Sequence, residues 1–496
     1  MMEKPRVLLV SIVPPRNDCG VRIVMYRHFI DRSPFELHVA SNADFADGLV
    51  IHTQLRLPYP VHRLRKSRFG PQLARWIIDY ENFIWPLTTN DALEEAVDKF
   101  QPEVILTLAE SGLCHIARKT AERHKVPLVG LFLDWFPVME GHYGHESTHR
   151  ILSQRYRELY AACDLAFCTS DGMQEMLGPH PNSHVIYPMP GRHVVPEKAW
   201  PPRDGKFRLV YVGSVENFYG RMLCSLIEQI EATSDLEMIV VGPNADWPKQ
   251  LHERALANGT YLGFKPPEEA LEVLANADAL LSVMSFEKEH ELFMRTSFTT
   301  KFLDYVSFGK PVILWGPEYC TPVRVACDHG GAAVVTAADA TAVVDVCRKI
   351  ASDRDLNEEL SKQALRLHRT LFNPDRLQEL FVQKITELVN GRRSVAPLGG
   401  RLANSNGNDG SPAPARCALP PGHRPMPGTV ARLLLLWAWP PSAGQHRRAR
   451  SPAEPRRSPG RHAQEHRQNR ARLRAQSLPR SCGFPAPTWR GDGSAP

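Results

Sequence analysis

The chain contains 496 residues, of which 43% are hydrophobic and 23% are charged, as in an ordinary globular protein of two or three domains. The formal net charge of +6 is unevenly distributed, because residues 391–496 hold 18 Arg, no Lys and 4 acidic residues and therefore carry +14. The first 390 residues carry −8, so the mildly acidic body of the chain gives no reason to expect specific nucleic-acid binding.

The cysteines and the start of the chain predict a cytoplasmic protein. Ten cysteines are scattered without a CxxC pair or a metal-ligand spacing, which is typical of buried thiols in a reducing compartment. The first apolar run begins at about residue 6, without a signal-peptide layout. The longest apolar block near the carboxyl terminus, Leu433 to Trp439, is too short to span a bilayer.

Apolar runs alternate with helical patterns over residues 1–194, which predicts a parallel sheet flanked by helices. The predicted strands cover about 6–12, 35–40, 102–108, 126–133 and 164–169. Gly20, in the first strand-to-helix loop, would let backbone approach a ligand closely, although a plain connecting turn explains it equally well. Glu110 and Asp134 follow successive strands, where open α/β sheets bind their ligands, so we favour a functional role over loop capping.

A basic run with interleaved apolar residues, 62–69, is suited to anionic lipid headgroups, while a solvated loop is the alternative. The helical stretch that follows, about 71–99, is expected to break or kink near Pro86. Four residues at helical spacing within it are predicted to be core residues: Trp76, Ile77, Tyr80 and Ile84. Beyond this stretch, His142, His145 and His149 lack a helix pattern and an HExxH motif, so no metal site is predicted.

A segment rich in Pro and charge, 195–206, predicts a linker to a second α/β half. The predicted strands of this half cover 207–212, 236–241, 260–263, 279–284, 311–315 and 332–335. Residues 207–373 form the second predicted domain, and a further helix covers 374–390. Each half is close to the usual domain size, and two such halves that face each other form a cleft.

The stretch 278–316 combines a buried strand, a polar loop (285–295), a helix pattern and another strand. The helix pattern begins at about 297–300, at the carboxyl end of a strand, where free N–H groups offer a site for phosphate. Asp304 lies one turn into this helix and is placed to accept hydrogen bonds from ribose hydroxyls. A surface helix with a solvated Asp304 is the alternative that the sequence leaves open.

Seven short segments lie at the starts or ends of predicted elements in the two halves. They are Asp134-Trp135, Cys168-Thr169-Ser170-Asp171-Gly172-Met173, Tyr211-Val212-Gly213-Ser214 with Gly220, Val240-Val241-Gly242, Tyr261-Leu262-Gly263, Thr299-Thr300-Lys301-Phe302-Leu303-Asp304-Tyr305 and Gly309-Lys310-Pro311-Val312-Ile313. Their order and spacing resemble the large retaining glycosyltransferase family four, and the resemblance covers about residues 5–390. It implies an α/β protein of the GT-B fold, with two Rossmann-like domains facing each other across a cleft. The helix 374–390 would then return to the first domain.

The resemblance implies transfer of a sugar from a nucleotide-diphosphate sugar to a hydroxyl acceptor, with retention and without a metal or other cofactor. The acceptor would be a glycan, a lipid-linked glycan at the inner membrane face or a small molecule, as in polysaccharide biosynthesis. Donor binding would fall to Gly213, Ser214, Arg221, Gly242, Phe298, Thr299, Thr300, Lys301 and Asp304. The N–H groups of 298–300 would hold the diphosphate and Asp304 the ribose. Asp134 would position or deprotonate the acceptor hydroxyl, with Gly20, Glu110 and Trp135 on the acceptor side.

The sequence departs from the family pattern in the residues that would surround the diphosphate. The family's Arg after the first donor-domain Gly and its Lys before the second are Ser214 and Tyr219 here. A diphosphate leaving group needs cationic or N–H stabilisation, which Arg221 or Lys301 would have to supply.

The family's two glutamates, eight residues apart, become Thr296 and Asp304. These departures keep two alternatives open. One is a GT-B protein that binds a nucleotide or glycan without turnover, and the other is a GT-B sugar-nucleotide epimerase.

Residues 391–496 are rich in Pro, Arg, Ala, Gly and Ser and show no sustained period, which predicts a disordered tail. A basic arm that binds acidic partners is one interpretation. A frameshifted carboxyl terminus from GC-rich coding sequence is the interpretation we favour.

Overall fold

The structure is a computed structural model that describes residues 4–17, 20–43, 45, 48, 50–55, 64, 67–138, 145–191, 205–243 and 245–395. Two parallel β-sheets lie at its centre, and each sheet has a hydrophobic cluster on both of its faces. In the first strand, for example, Val7 and Leu9 pack on one face while Leu8 and Val10 pack on the other. Burial on both faces explains why the strands read as continuous apolar runs.

The first sheet has seven parallel strands in the order β3-β2-β1-β4-β5-β6-β7. They are β1 (Arg6–Ser11), β2 (Glu36–Ser41), β3 (Ile51–Gln54), β4 (Val104–Leu108), β5 (Leu128–Phe132), β6 (Leu165–Cys168) and β7 (Ser183–Val185). The strand order reverses between β1 and β4, so their loops leave a crevice at the carboxyl edge.

The helices of the first half are α1 (Gly20–Tyr26), α2 (Gly70–Asp79), α3 (Asp91–Phe100), α4 (Leu113–His124), α5 (Glu146–Ala162) and α6 (Asp171–Leu177). Two of them begin at side-chain caps, because Asn90 accepts from the Leu93 N–H at 3.2 Å and Ser170 accepts from the Met173 N–H at 3.0 Å. Ser170 therefore fixes the residue at which α6 begins.

The second sheet has five parallel strands in the order β12-β11-β10-β8-β9. They are β8 (Phe207–Val212), β9 (Leu236–Val241), β10 (Ala279–Val283), β11 (Val312–Trp315) and β12 (Ala333–Val335). The order reverses between β8 and β10, so the loops that follow these two strands flank the second crevice.

The helices of the second half are α7 (Asn217–Glu231), α8 (Lys249–Ala257), α9 (Pro267–Ala275), α10 (Glu291–Thr296), α11 (Thr300–Val306), α12 (Thr321–His329), α13 (Thr341–Ser352) and α14 (Arg354–Arg369). The long helix α15 (Pro374–Val395) then packs Phe381, Ile385 and Val389 into a core cluster of the first sheet. Gln378 on α15 also donates to the carbonyl oxygen of His28 at 3.0 Å.

The structure corrects several sequence predictions. Strands β3 and β7 were not predicted. The predicted strand at 260–263 contributes only a bridge between Val240 and Tyr261. Helix α10 begins inside the predicted loop 285–295 and ends one residue beyond it. The predicted core residues Trp76 and Ile84 are exposed, at 49% and 37%.

The boundaries of the predicted linker and tail are tested only in part. Helix α15 extends five residues past the predicted end at 390, and its Arg392 pairs with Asp164 at 3.1 Å. Residues 396–496, most of the linker 195–206 and four residues of the basic run 62–69 lie outside the described residues. Within the described part of the chain, no helix has the length and apolar character needed to cross a membrane.

Candidate functional site

The carboxyl edges of the two sheets meet through loops that follow their strands. Ser297, after β10, donates from its hydroxyl to Asp134 Oδ1 at 2.6 Å, and Asp134 follows β5. Ser170, after β6, donates to the carbonyl oxygen of Thr296 at 2.5 Å. Gly172 packs so tightly that an added Cβ would lie 1.9 Å from the Arg295 carbonyl oxygen. The two crevices therefore face each other, with strand-end residues of both halves between them.

Lys301 lies directly over Gly213 on the second half of this cleft. A Cβ on Gly213 would lie 2.1 Å from Lys301 Cε, and the φ of Gly213 is +149°. Only a glycine at position 213 leaves room for the aliphatic part of the Lys301 side chain. Lys301 Nζ is 4.4 Å from the centre of the Tyr219 ring and 5.6 Å from that of Tyr211. Between described residues, the structure gives Lys301 no ion pair within 4.0 Å.

The electrostatics of Lys301 are those of a cation withdrawn from water. Burial lowers the pKa of Lys301 from 10.5 to about 8, and the negative charge of Asp304 opposes that change. The ammonium group is still mostly protonated at neutral pH. It is held by aromatic faces rather than by a carboxylate, so it is available to an anion that enters the cleft.

Two carboxyl groups of the first half face this region. Asp134 and Glu110 follow the neighbouring strands β5 and β4, and both have raised pKa values. Burial raises the pKa of Asp134, against the hydrogen bond from Ser297, while burial and then the charge of Asp134 raise that of Glu110 to about 7. Asp134 also contributes, after burial, to the raised pKa of Tyr219. The Tyr219 ring therefore lies against Lys301, and its hydroxyl lies within electrostatic reach of Asp134.

Asp304 is held by residues far away in sequence. Its Oδ1 accepts from the Gly191 N–H at 2.9 Å and lies 3.1 Å from Nη1 of Arg27. Arg27 Nη2 donates to Asp304 Oδ2 at 3.2 Å, and its Nη1 donates to the Met189 carbonyl oxygen at 2.6 Å. Arg27 is buried, whereas the Asp304 side chain keeps 21% of its accessible surface. The carboxylate predicted to bind ribose thus forms an ion pair between the two halves.

Several predicted site residues lie elsewhere. Arg221 forms a bidentate ion pair with Glu287, at 2.7 Å for both contacts, and lines a cavity of about 430 Å³ beside Trp247. Trp135 is fully buried against Tyr156 and has no surface left for an acceptor. The position of Trp135 does not favour a direct ligand contact, whereas donor binding by Arg221 stays a prediction.

The remaining predicted donor residues divide into core and cleft positions. The Phe298 ring packs in the core, and Gly242 allows a close approach because a Cβ there would lie 2.0 Å from the Gly213 carbonyl oxygen. Partly exposed residues around the start of α11 and after β8 are Thr299, Thr300 and Ser214. Gly20 begins α1 at a φ of +53°, with open space at its Cβ position.

Sequence reasoning missed three residues of this arrangement. Arg27 carries no local signal, because it meets Asp304 across 277 residues. Ser297 was noted only as part of a helix start, although it precedes the motif 299–305. Tyr219 was treated as a lost lysine rather than as the ring that supports Lys301.

The predicted absence of a metal site concerns residues that are only partly described. His142 lies outside the described residues, and His145 Nδ1 is 2.5 Å from Asp79 Oδ2. Across the described part of the chain, no group of three or more His, Cys, Asp or Glu is arranged to hold a metal ion.

Known structures share this architecture. HepE from Anabaena, solved with UDP and with UDP-glucose, matches with a TM-score of 0.53 and 12% identity in the UDP complex, over 77% of this chain and 100% of HepE. Sucrose-phosphate synthase from Thermosynechococcus elongatus matches with a TM-score of 0.54 and 12% identity, over 78% and 100%. A glycosyltransferase from Rickettsia africae matches with a TM-score of 0.54 and 13% identity, over 78% and 99%.

These likenesses confirm the predicted fold class. The chain has the α/β GT-B fold, in which two parallel sheets with helices face each other across a cleft. No protein-family model matches the chain, and the search for curated relatives finds no match.

Proposed function

We propose that this protein is a retaining glycosyltransferase, related to family four, that uses a nucleotide-diphosphate sugar. The observation that carries the proposal is Lys301, a cation without an ion pair among the described residues. It is seated over Gly213 and against the ring of Tyr219, whose hydroxyl lies within electrostatic reach of Asp134. A diphosphate beside Lys301 would place the attached sugar near Asp134. Negative charge develops on the diphosphate as the bond to the sugar breaks, and a cation shielded from water stabilises that charge.

The proposed chemistry exchanges one bond at the anomeric carbon for another on the same face of the sugar. The bond to the diphosphate oxygen breaks, and the acceptor hydroxyl oxygen forms the new bond. Lys301 stabilises the charge that develops on the leaving diphosphate, aided by N–H groups near Thr299 and Thr300. Asp134 positions the acceptor hydroxyl and accepts its proton, and its raised pKa makes it a stronger base than an exposed aspartate.

Ser297 and Glu110 support this role of Asp134. The Ser297 hydroxyl donates to Asp134 Oδ1 and leaves Oδ2 for the acceptor. Glu110 has a pKa of about 7, because burial and then a charge on Asp134 disfavour a charge on Glu110. The two carboxyl groups can therefore share the proton that Asp134 takes from the acceptor. Because Lys301 and N–H groups carry the charge of the diphosphate, this mechanism does not require a metal ion, and activity is expected to persist with EDTA.

The donor is proposed to be a UDP-hexose, since HepE, which shares the fold, was solved with UDP and with UDP-glucose. The acceptor is proposed to be a glycan, a lipid-linked glycan or a small molecule of polysaccharide biosynthesis. Transfer would take place in the cytoplasm or at the inner face of the membrane.

A thermal-shift screen tests the donor site. UDP-, GDP-, CDP- and ADP-sugars are added to the wild type, to Lys301→Met and to Asp304→Ala, because a ligand that binds only the native state raises the melting temperature. We expect one nucleotide to raise the melting temperature of the wild type and to lose that effect in Lys301→Met. No effect of any nucleotide on the wild type would contradict the proposed donor site.

A transfer assay with the nucleotide found in that screen tests the chemistry. Asp134→Asn should retain donor binding and lose acceptor-dependent release of the nucleoside diphosphate by about 10²–10⁴-fold, the usual range for a general base. Interconversion of the sugar nucleotide without an acceptor would instead identify an epimerase.

A binding protein without turnover is the second candidate. It is favoured by the loss of the charged residues that the family pattern places around the diphosphate, which are Ser214, Tyr219 and Thr296 here. Nucleotide binding without release of a free nucleoside diphosphate, over a broad set of acceptors, would support this candidate.

A further inference from the structure

Helix α2 presents an aromatic face to solvent. Phe69, at its start, is 51% exposed, Trp76 is 49% exposed, and Leu64 just before them is 42% exposed. Phe69 and Trp76 are seven residues apart and therefore lie on the same side, two turns from each other. Ile77 lies about 100° around the helix from Trp76 and is buried, so this neighbouring side of the helix packs on the protein. We call the exposed set of Leu64, Phe69 and Trp76 the aromatic face.

The segment of sequence that carries the aromatic face is opposite in charge to the remaining body of the protein. Residues 48–78 contain six basic residues and no acidic residue, although the first 390 residues carry −8 in total. Arg68 and Arg75 are exposed, and neither makes an ion pair with another described residue. Arg68 Cζ lies 4.7 Å from the centre of the Phe69 ring, so cation and apolar surface are adjacent.

Helix α2 and the chain just after it contact the segments that hold the cleft carboxylates. Asp79, the last residue of α2, binds His145, and His145 lies in the same segment between β5 and α5 as Asp134. The chain just after α2 also reaches the loop after β4, because a Cβ on Gly112 would lie 2.1 Å from the Glu81 carbonyl oxygen. Gly112 lies two residues beyond Glu110. A surface that holds the aromatic face would thus bring an embedded acceptor close to the cleft.

We propose that the aromatic face docks on a membrane rich in anionic lipid, with Phe69, Trp76 and Leu64 in the headgroup region and Arg68 and Arg75 on phosphates. Tryptophan and phenylalanine beside arginine are the residues that interfacial helices use. A nucleic acid or another polyanion would engage the cations and leave the apolar side chains in water, so it does not account for the exposed Leu64 and Trp76. Lipid binding does not depend on the proposed glycosyl transfer.

Vesicle sedimentation of the full chain tests the proposal. Vesicles of phosphatidylcholine alone are compared with vesicles that also contain phosphatidylglycerol. Phe69→Ser/Trp76→Ser is expected to bind the anionic vesicles about tenfold more weakly than the wild type, because bound apolar area is lost. The matched control is Leu256→Ser/Phe264→Ser, whose two side chains are also exposed, at 49% and 68%, and lie in the second half. The control should bind as the wild type does, and both variants should keep the wild-type melting temperature.

The proposed contact of Arg68 and Arg75 with lipid phosphates is tested by Arg68→Glu/Arg75→Glu. The control is Lys249→Glu/Lys265→Glu, which changes the net charge by the same amount in the second half. Only Arg68→Glu/Arg75→Glu should weaken vesicle binding. The basic tail is identical in all variants, and raising the salt from about 0.15 M to about 1 M, where the Debye length falls to ~3 Å, suppresses its purely electrostatic binding. Residual wild-type binding at high salt that is lost in Phe69→Ser/Trp76→Ser supports insertion.

Brominated lipids locate Trp76 directly, because bromine quenches only indoles that enter the bilayer. The wild type should lose fluorescence on brominated anionic vesicles, and Trp76→Phe should lose much less. Equal quenching in the two proteins, or unchanged vesicle binding by Phe69→Ser/Trp76→Ser, would overturn the proposal. Loss of binding to heparin in Arg68→Glu/Arg75→Glu with no vesicle binding by the wild type would instead identify a polyanion surface.

Discussion

Replacing Lys301 with Met is expected to stabilise the ligand-free protein, because the change removes a cation from a water-poor site and keeps the apolar stem over Gly213. The pKa of Lys301 falls from 10.5 to about 8, mainly through burial. Each pKa unit corresponds to ~1.4 kcal/mol, so the buried charge costs the folded state about 3 kcal/mol at neutral pH.

Favourable contacts of the ammonium group offset part of this cost. Lys301 Nζ lies 4.4 Å from the Tyr219 ring centre, and such a cation–π contact contributes about 0.5–1 kcal/mol. Burial therefore outweighs the aromatic contact, and the net gain in the free energy of unfolding is about 2 kcal/mol. In a domain of this size, each kcal/mol moves the melting temperature by roughly 2–4 °C, so Lys301→Met should melt about 4–8 °C higher.

The stability that Lys301→Met gains over the wild type should decrease as the pH rises above 8. Below pH 8 the lysine is protonated in both states, so the full cost of burial is present in the wild type. Between pH 8 and 10.5 the unfolded chain binds more protons than the folded protein, so the stability of the wild type rises relative to that of the variant. The difference in melting temperature between the two proteins should therefore shrink over that interval.

Differential scanning fluorimetry of both proteins across this pH range, with and without UDP, is the assay. UDP should raise the melting temperature of the wild type and not that of Lys301→Met. Lys349→Met, which removes an exposed lysine from α13, should match the wild type in every condition. If Lys301→Met melted at or below the wild-type temperature at neutral pH, Lys301 would not be a destabilising cation. If Lys301→Met were still stabilised by UDP, Lys301 would not be the residue that binds the phosphate.

Three further changes test the rest of the cleft. Gly213→Ala should abolish UDP binding in calorimetry, because the new Cβ displaces the Lys301 stem; unchanged affinity would contradict the close packing. Arg27→Met should cost about 2–3 kcal/mol by leaving Asp304 without its cation, and an unchanged melting temperature would show that the ion pair contributes little. Glu110→Gln should gain stability relative to the wild type as the pH rises from 4.5 to 7. The wild type loses stability over this range, because the raised pKa of Glu110 makes the folded protein bind more protons than the unfolded chain. If the melting temperatures of the two proteins changed in parallel with pH, Glu110 would be an ordinary carboxylate.

The sequence by itself determined the elements and their class. Continuous apolar runs of strand length, separated by helical patterns, required parallel strands buried on both faces, and the observed strands fall within a few residues of the predicted ones. The two missed strands share a cause: β3 and β7 are edge strands of four and three residues, none of which is buried, so they lack the buried apolar run by which the other strands were recognised. The placement of Glu110 and Asp134 at strand ends also followed from the order of the runs, because parallel strands end at one edge.

Only the tertiary structure decided which side chains meet. Arg27 and Asp304 pair across 277 residues, and Ser297 and Asp134 across 163, through packing that no local pattern encodes. The same packing separates the two cations that the sequence offered for a diphosphate: Arg221 pairs with Glu287, whereas Lys301 lies over Gly213 inside the cleft. Sequence periodicity indicates which face of an element is buried. The partner of a residue across the cleft depends instead on how the two sheets pack against each other.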